Sequence, residues 1–115
     1  MEFDPADVWK YQLVIQFSLT GADTDDRFEK LLDLEQQVDR ATADRSIAEL
    51  DGNDVGAGEF NIFLFTDRPQ EAFEYLRPIV EKVVPSSEYK VAHRDLKGEE
   101  FHILWPENLK HFDVA

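Results

Sequence analysis

The chain has 115 residues, 43% apolar and 12% aromatic, which is the length of one compact domain able to bury about two-thirds of its unfolded surface. Twenty-five Asp and Glu against twelve Lys and Arg leave a net charge of −13, a balance that opposes binding to nucleic acid or to an anionic membrane surface. With no cysteine, a disulfide framework, a thiolate metal site and a thiol nucleophile are excluded.

The N-terminal residues are acidic and lack the basic start and apolar run of a signal peptide, and no apolar stretch reaches membrane-spanning length, so a cytoplasmic chain is expected. From Trp9 onward, Tyr11, Leu13, Ile15, Phe17 and Leu19 alternate with mostly polar residues, the period of a strand with one buried face. Residues 21–24 read as a turn. Between 25 and 43, Leu31, Leu34, Val38 and Ala41, adjoined by Phe28 and Leu32, make the stripe of an amphipathic helix with acids in its first turn. A short strand at 46–51, a glycine-rich turn at 52–58 and a strand at 59–66 that is apolar on both faces suggest a β-hairpin.

Asp67 is placed to cap the second helix, with Pro69 in its first turn and Gln70 at the capping-box position. Ala72, Phe73, Leu76, Ile79, Val80 and Val83 supply its apolar stripe, Pro78 predicts a kink near residues 74–77, and Pro85 ends it. Strands at 88–95 and 100–105 flank the tight-turn dipeptide Lys97-Gly98, and 106–112 forms a turn or short helix. The order β-α-β-β-α-β plus a C-terminal strand predicts an α+β ferredoxin-like sandwich, an antiparallel sheet with two helices on one face, in a single domain spanning 1–115.

Four groups of residues carry candidate chemistry. The stretch from Glu49 to Asn61 crowds carboxylates around three glycines, but as a calcium loop counted from Asp51 it places Val55 and Ile62 where ligands belong. Read as a symmetrically closed hairpin, it sets Glu49 opposite Asn61 and Asp51 near Glu59, a potential acidic-amide pocket. In the last hairpin a two-residue turn sets His93 directly opposite His102, with Asp95 and Glu100 beside them; two imidazoles about 5 Å apart at Cβ can share a metal or a carboxylate. Third, the aromatic strand G-E-F-N-I-F-L-F has the look of an RNA-recognition strand, yet Ala57 stands where a basic residue is needed. Its alternation puts Asn61, Phe63 and Phe65 on one face and Phe60, Ile62 and Leu64 on the other. The face away from the helices is therefore partly apolar and needs a cover: a second copy, a partner, a small ligand or the C-terminal tail. Fourth is the acidity of Asp23, Asp25, Asp26, Glu29, Asp33, Glu35 and Asp39, which would attract an electropositive partner. Ser18, Ser46, Ser86 and Ser87 have no elbow or triad context, and no phosphate-cradling glycine loop precedes a helix.

The segment D-G-N-D-V-G-A-G-E-F-N-I-F, beginning at Asp51, resembles a group of small bacterial proteins of ferredoxin-like order that carry D-G-x-x-x-G-x-G-E-x-N-x-F. Tyr89, Val91, Arg94, Asp95 and Leu96, then Ile103 to Pro106, match the closing strands of that group. The resemblance implies the fold and a bacterial origin, and carries over no catalytic residue.

These observations point to a non-catalytic, acidic interaction domain, in its most concrete form an immunity-type inhibitor of a basic bacterial toxin. Asp51, Asp54 and Glu59 are the expected electrostatic contacts and Phe63 and Trp105 the apolar anchors. The alternative is a small-ligand or metal-binding domain, dimeric through the open sheet face and able to support an enzymatic activity. In that reading Glu49, Asn61, His93, Arg94 and His102 line the face opposite the helices. Neither reading requires a cofactor.

Overall fold

The alternating run near the start of the chain becomes the central strand of the sheet. The computed structural model describes residues 4–20 and 24–114; most of the expected turn at 21–24, and Asp23 with it, lies outside the described residues. Strand β1 (Tyr11–Ser18) pairs antiparallel with β3 (Glu59–Thr66) on one side and with β4 (Tyr89–Asp95) on the other. β2 (Glu49–Gly56) adds to β3 and β5 (Phe101–Trp105) to β4, giving the order β2-β3-β1-β4-β5. With α1 (Thr24–Ala41) and α2 (Pro69–Glu81) in the two crossovers, this is an α+β ferredoxin-like sandwich extended at one edge by β5.

Period-two alternation in the strands and the helical stripes meet in one core. Leu31, Leu34 and Val38 of α1 and Ala72, Phe73, Leu76 and Val80 of α2 pack on Leu13, Ile15 and Phe17, on Phe60, Ile62 and Leu64, and on Tyr89 and Val91. Both helices thus cover the same sheet face. Each fully buried Leu or Ile here contributes roughly 2 kcal/mol of transfer free energy.

The hairpin differs from its sequence reading. β2 runs through most of the glycine-rich segment, and the turn shrinks to Ala57 and Gly58, both in the left-handed region at φ 53° and 76°, as a two-residue hairpin loop requires. Between Leu50 and Gly52 the register shifts by a bulge at Asp51, where Gly52 adopts φ 152°, a conformation that side-chain-bearing residues rarely take. Glu49 consequently faces Phe65 and Asp54 faces Asn61, so the expected pairings of Glu49 with Asn61 and of Asp51 with Glu59 do not form. Asp67 does not cap α2: its carboxylate accepts from the Lys10 backbone N–H at 2.9 Å, and the residue preceding the helix is Arg68. Gln70 donates to Glu74 instead of reaching back to the helix start. α2 continues through Pro78 to Glu81, where the ring removes the hydrogen bond to the Glu74 carbonyl.

The opposite face is closed by the chain itself. After β5 a turn, in which the Leu109 N–H donates to the Pro106 carbonyl at 3.1 Å, sends residues 106–114 across the sheet as an extended strap with no helix. Phe112 packs on Val14 and Ala92, flanked by Phe63, Phe101, Ile103, Leu109 and Val114. Beneath it Gln16 Nε2 donates to Asn61 Oδ1 at 3.0 Å and to the Asp113 carbonyl at 2.8 Å, so two buried amides are satisfied by each other and by the strap. Among the described residues, no helix is long and apolar enough to cross a membrane.

Candidate functional site

α1 lies along the β2 edge, joined to it by a 2.7 Å hydrogen bond from Asn53 Nδ2 to Glu35 Oε1. This contact sets the Glu35 and Asp39 side of α1 against the β2 edge as one flank, while Glu29 and Asp33 turn toward Lys82 beyond the end of α2. Exposed Asp25, Glu29, Asp33 and Asp39 on α1 and exposed Asp51 and Asp54 on β2 have no ion-pair partner among the described residues. On α1, Asp26 is neutralised by Lys30 at 3.2 Å. The bulge crowds Asp51 toward Glu49: partial burial first, and the Glu49 charge second, hold the Asp51 carboxyl above its ordinary range. Glu49 is itself held in place, accepting from Trp9 Nε1 at 3.2 Å and pairing with Arg45 at 2.8 Å. β2 is the outermost strand, so the flank also presents a free backbone edge.

The histidine register is as expected: His93 faces His102, with ring centroids 5.2 Å apart and planes tilted by 30°. Its location differs. His93 pairs with Leu13 and its ring meets the Tyr11 ring edge-on at 5.5 Å, so both imidazoles stand on the helix-side face of the sheet. Among the described residues His93 Nδ1 is buried without a hydrogen-bond partner. Burial, and then the neighbouring His102, lower the pKa of His93, with Asp95 opposing. No group of three or more His, Cys, Asp or Glu able to hold a metal occurs among the described residues, which leaves the pair without the third ligand that a protein metal site normally needs.

The other residues expected in a ligand pocket share one face but do not converge. Asn61 and Arg94 do share the open face, but Asn61 is buried under the strap, and Arg94 is held by Gln12 Oε1 at 2.9 Å and the Gly98 carbonyl at 2.9 Å. Glu49 is on that face as well, opposite Phe65 at the β2 edge, but is held there by Trp9 and Arg45, and His93 and His102 stand on the helix side.

The candidate partner contacts divide in the same way. Asp51 stands at the β2 bulge, whereas Asp54, opposite Asn61, and Glu59, opposite Ser18, are on the open face. Phe63 packs at the margin of the strap cluster. Trp105 lies at the far edge on the helix side, stacked on Tyr89 at 6.4 Å, under Arg77 at 4.2 Å, and donating to the Ser86 carbonyl at 2.8 Å. With three strands between them, Trp105 does not form one contact patch with the β2 acids. Arg27 and Lys90 carried no signal in the sequence, being single cations far apart in the chain, yet they line one cleft with Glu59.

No family model matches the chain, and no curated protein or solved structure shows significant similarity to it. A ferredoxin-like fold hosts many unrelated functions, so the geometry of these groups is what distinguishes one function from another.

Proposed function

We propose that the chain is a non-catalytic interaction domain that docks on a basic protein through the α1–β2 flank. The observation that carries this reading is the Asn53–Glu35 contact, which sets the Glu35 and Asp39 side of α1 against the β2 edge that carries Asp51 and Asp54, neither of them ion-paired among the described residues. Such a surface accelerates encounter with a cationic partner and disfavours wrong ones through charge repulsion. An immunity-type inhibitor of a basic bacterial toxin is the specific form of the proposal, and the bacterial origin implied by the glycine-acid-asparagine stretch belongs to it. The strap already covers the apolar centre of the open face, so this reading requires no second copy there.

The test begins with low-salt affinity capture from the source lysate and continues with kinetics on the purified pair. Reversing Asp51 and Asp54 together to Lys should slow association by about tenfold or more and flatten its salt dependence. Reversing Glu99 and Glu100, outside the flank, should change the rate far less. Equal effects from the two pairs, or no effect from the first, overturns the assignment of the flank.

A further inference from the structure

Where β1 leaves the sheet, the open face ends in a cleft of about 460 Å³ that is separate from the acidic flank. It is lined by Ser18 of β1, whose hydroxyl bonds that of Thr20 at 2.8 Å, by Glu59 of β3 and Lys90 of β4 on the neighbouring strands, and by Arg27, Ser87 and Glu88. Arg27 is already engaged: its Nε donates to the Ser18 carbonyl and its guanidinium pairs with Glu88 at 3.4 Å. Glu59 and Lys90 are different. Neither has an ion-pair partner among the described residues.

Register explains why they do not pair with each other. Glu59 faces Ser18 across the β1–β3 ladder, and Lys90 faces Gln16 across the β1–β4 ladder. Two strand spacings and a two-residue offset put their Cα atoms about 12 Å apart on the same face. An uncompensated cation alone would define an anion site, and an uncompensated carboxylate alone a cation site. One of each, flanking a cleft with hydroxyls at Ser18 and Ser87, selects a ligand that carries both charges and polar groups between them. The volume is near the lower end of the roughly 300–1,000 Å³ usual for small-molecule sites.

We propose that this cleft binds a small zwitterion of amino-acid to dipeptide size, its ammonium toward Glu59 and its carboxylate toward Lys90 with Arg27 behind. The site is independent of the α1–β2 flank, and each can fail without the other.

The test is a heteronuclear NMR titration of the whole chain with glycylglycine, its N-acetyl form and its C-terminal amide. Free glycylglycine should produce saturable shifts at the backbone amides of Ser18, Glu59, Ser87 and Lys90. Blocking either terminus should weaken binding by about tenfold or more. Lys90→Gln should make the peptide and its amide bind alike, and Glu59→Gln should do the same for the peptide and its acetylated form. Absence of saturable shifts, or blocked peptides binding the wild-type chain as well as the free one, overturns the proposal. So does inorganic phosphate producing the same shifts with equal affinity, which would mark a plain anion site. The comparison among ligands uses the wild-type chain alone, so it stands whether or not the variants fold.

Discussion

The two faces of the sheet are closed by unlike means. On one side two helices lay continuous stripes over β1, β3 and β4, and the buried set extends from Leu31 and Leu34 through Ile15 to Leu76 and Val80. On the other a nine-residue strap, residues 106–114, rests on Val14 and Ala92 through Phe112 and is held by a hydrogen bond from Gln16 to Asp113. Helices bring their own backbone hydrogen bonds to the interface, whereas an extended strap must find partners on the surface it covers. The helix side is therefore the cooperative core, and the strap side is a local closure that can open by itself.

The contrast is open to attack in order of expected effect. Leu34→Ala on the helix side should destabilise the whole domain by about 2–5 kcal/mol, read as a lower denaturant midpoint with an unchanged slope. Phe112→Ala should lower global stability by only about 1–2 kcal/mol, because the strap can release before the sheet unfolds, and hydrogen exchange should quicken around Val14 and Ala92 first. Equal losses from the two substitutions would show that the faces form a single cooperative unit. A smaller effect comes from His93, whose folded pKa lies below the ordinary histidine value of 6.5. As pH falls through that value the unfolded chain takes up the proton first, so stability should decline with acidification until His93 is protonated in the folded state as well. His93→Gln should flatten that decline, as followed by thermal melts across the range. Least of all, Ala57→Asn at the left-handed turn position should raise stability by roughly 0.5–1 kcal/mol. This last change lies outside both packed clusters and should leave the difference between the faces as it was.

Much of this arrangement was legible in the chain, for physical reasons that also account for the errors. β1 and β3 read well because a central strand carries apolar residues along its length. α1 and α2 read well because their stripes recur at helical spacing. β2 was cut short because an edge strand pairs on one side only and tolerates Gly52, Asn53, Asp54 and Gly56, residues that otherwise signal turns. The turn at Ala57–Gly58 sets Asp54 opposite Asn61 in place of Glu49, and the bulge at Asp51 then moves Glu49 by one residue to face Phe65. The His93–His102 pairing followed from the length of a turn. Its face followed from pairing with Leu13, a contact between strands far apart in the chain. The Asp67 cap failed for a similar reason, since the backbone that captures its carboxylate is at Lys10. The need for a cover on the open face was visible in Phe63 and Phe65, but which of four candidates supplied it was decided by the path of the chain after Pro106.

The central place of β1 bears on how the molecule assembles. Leu13 lies between Leu64 and His93, so the first strand in sequence gains its neighbours only when long loops on both sides have closed. Such closure loses chain entropy before the contacts repay it, and domains dominated by distant strand pairings fold on a scale of roughly milliseconds to seconds. Until β3 docks, β1 is an apolar strand with both edges bare, the form of the chain most exposed to pairing with a neighbour. The order of strands that gives the folded protein its stable centre thus makes that same strand the point of greatest vulnerability during folding.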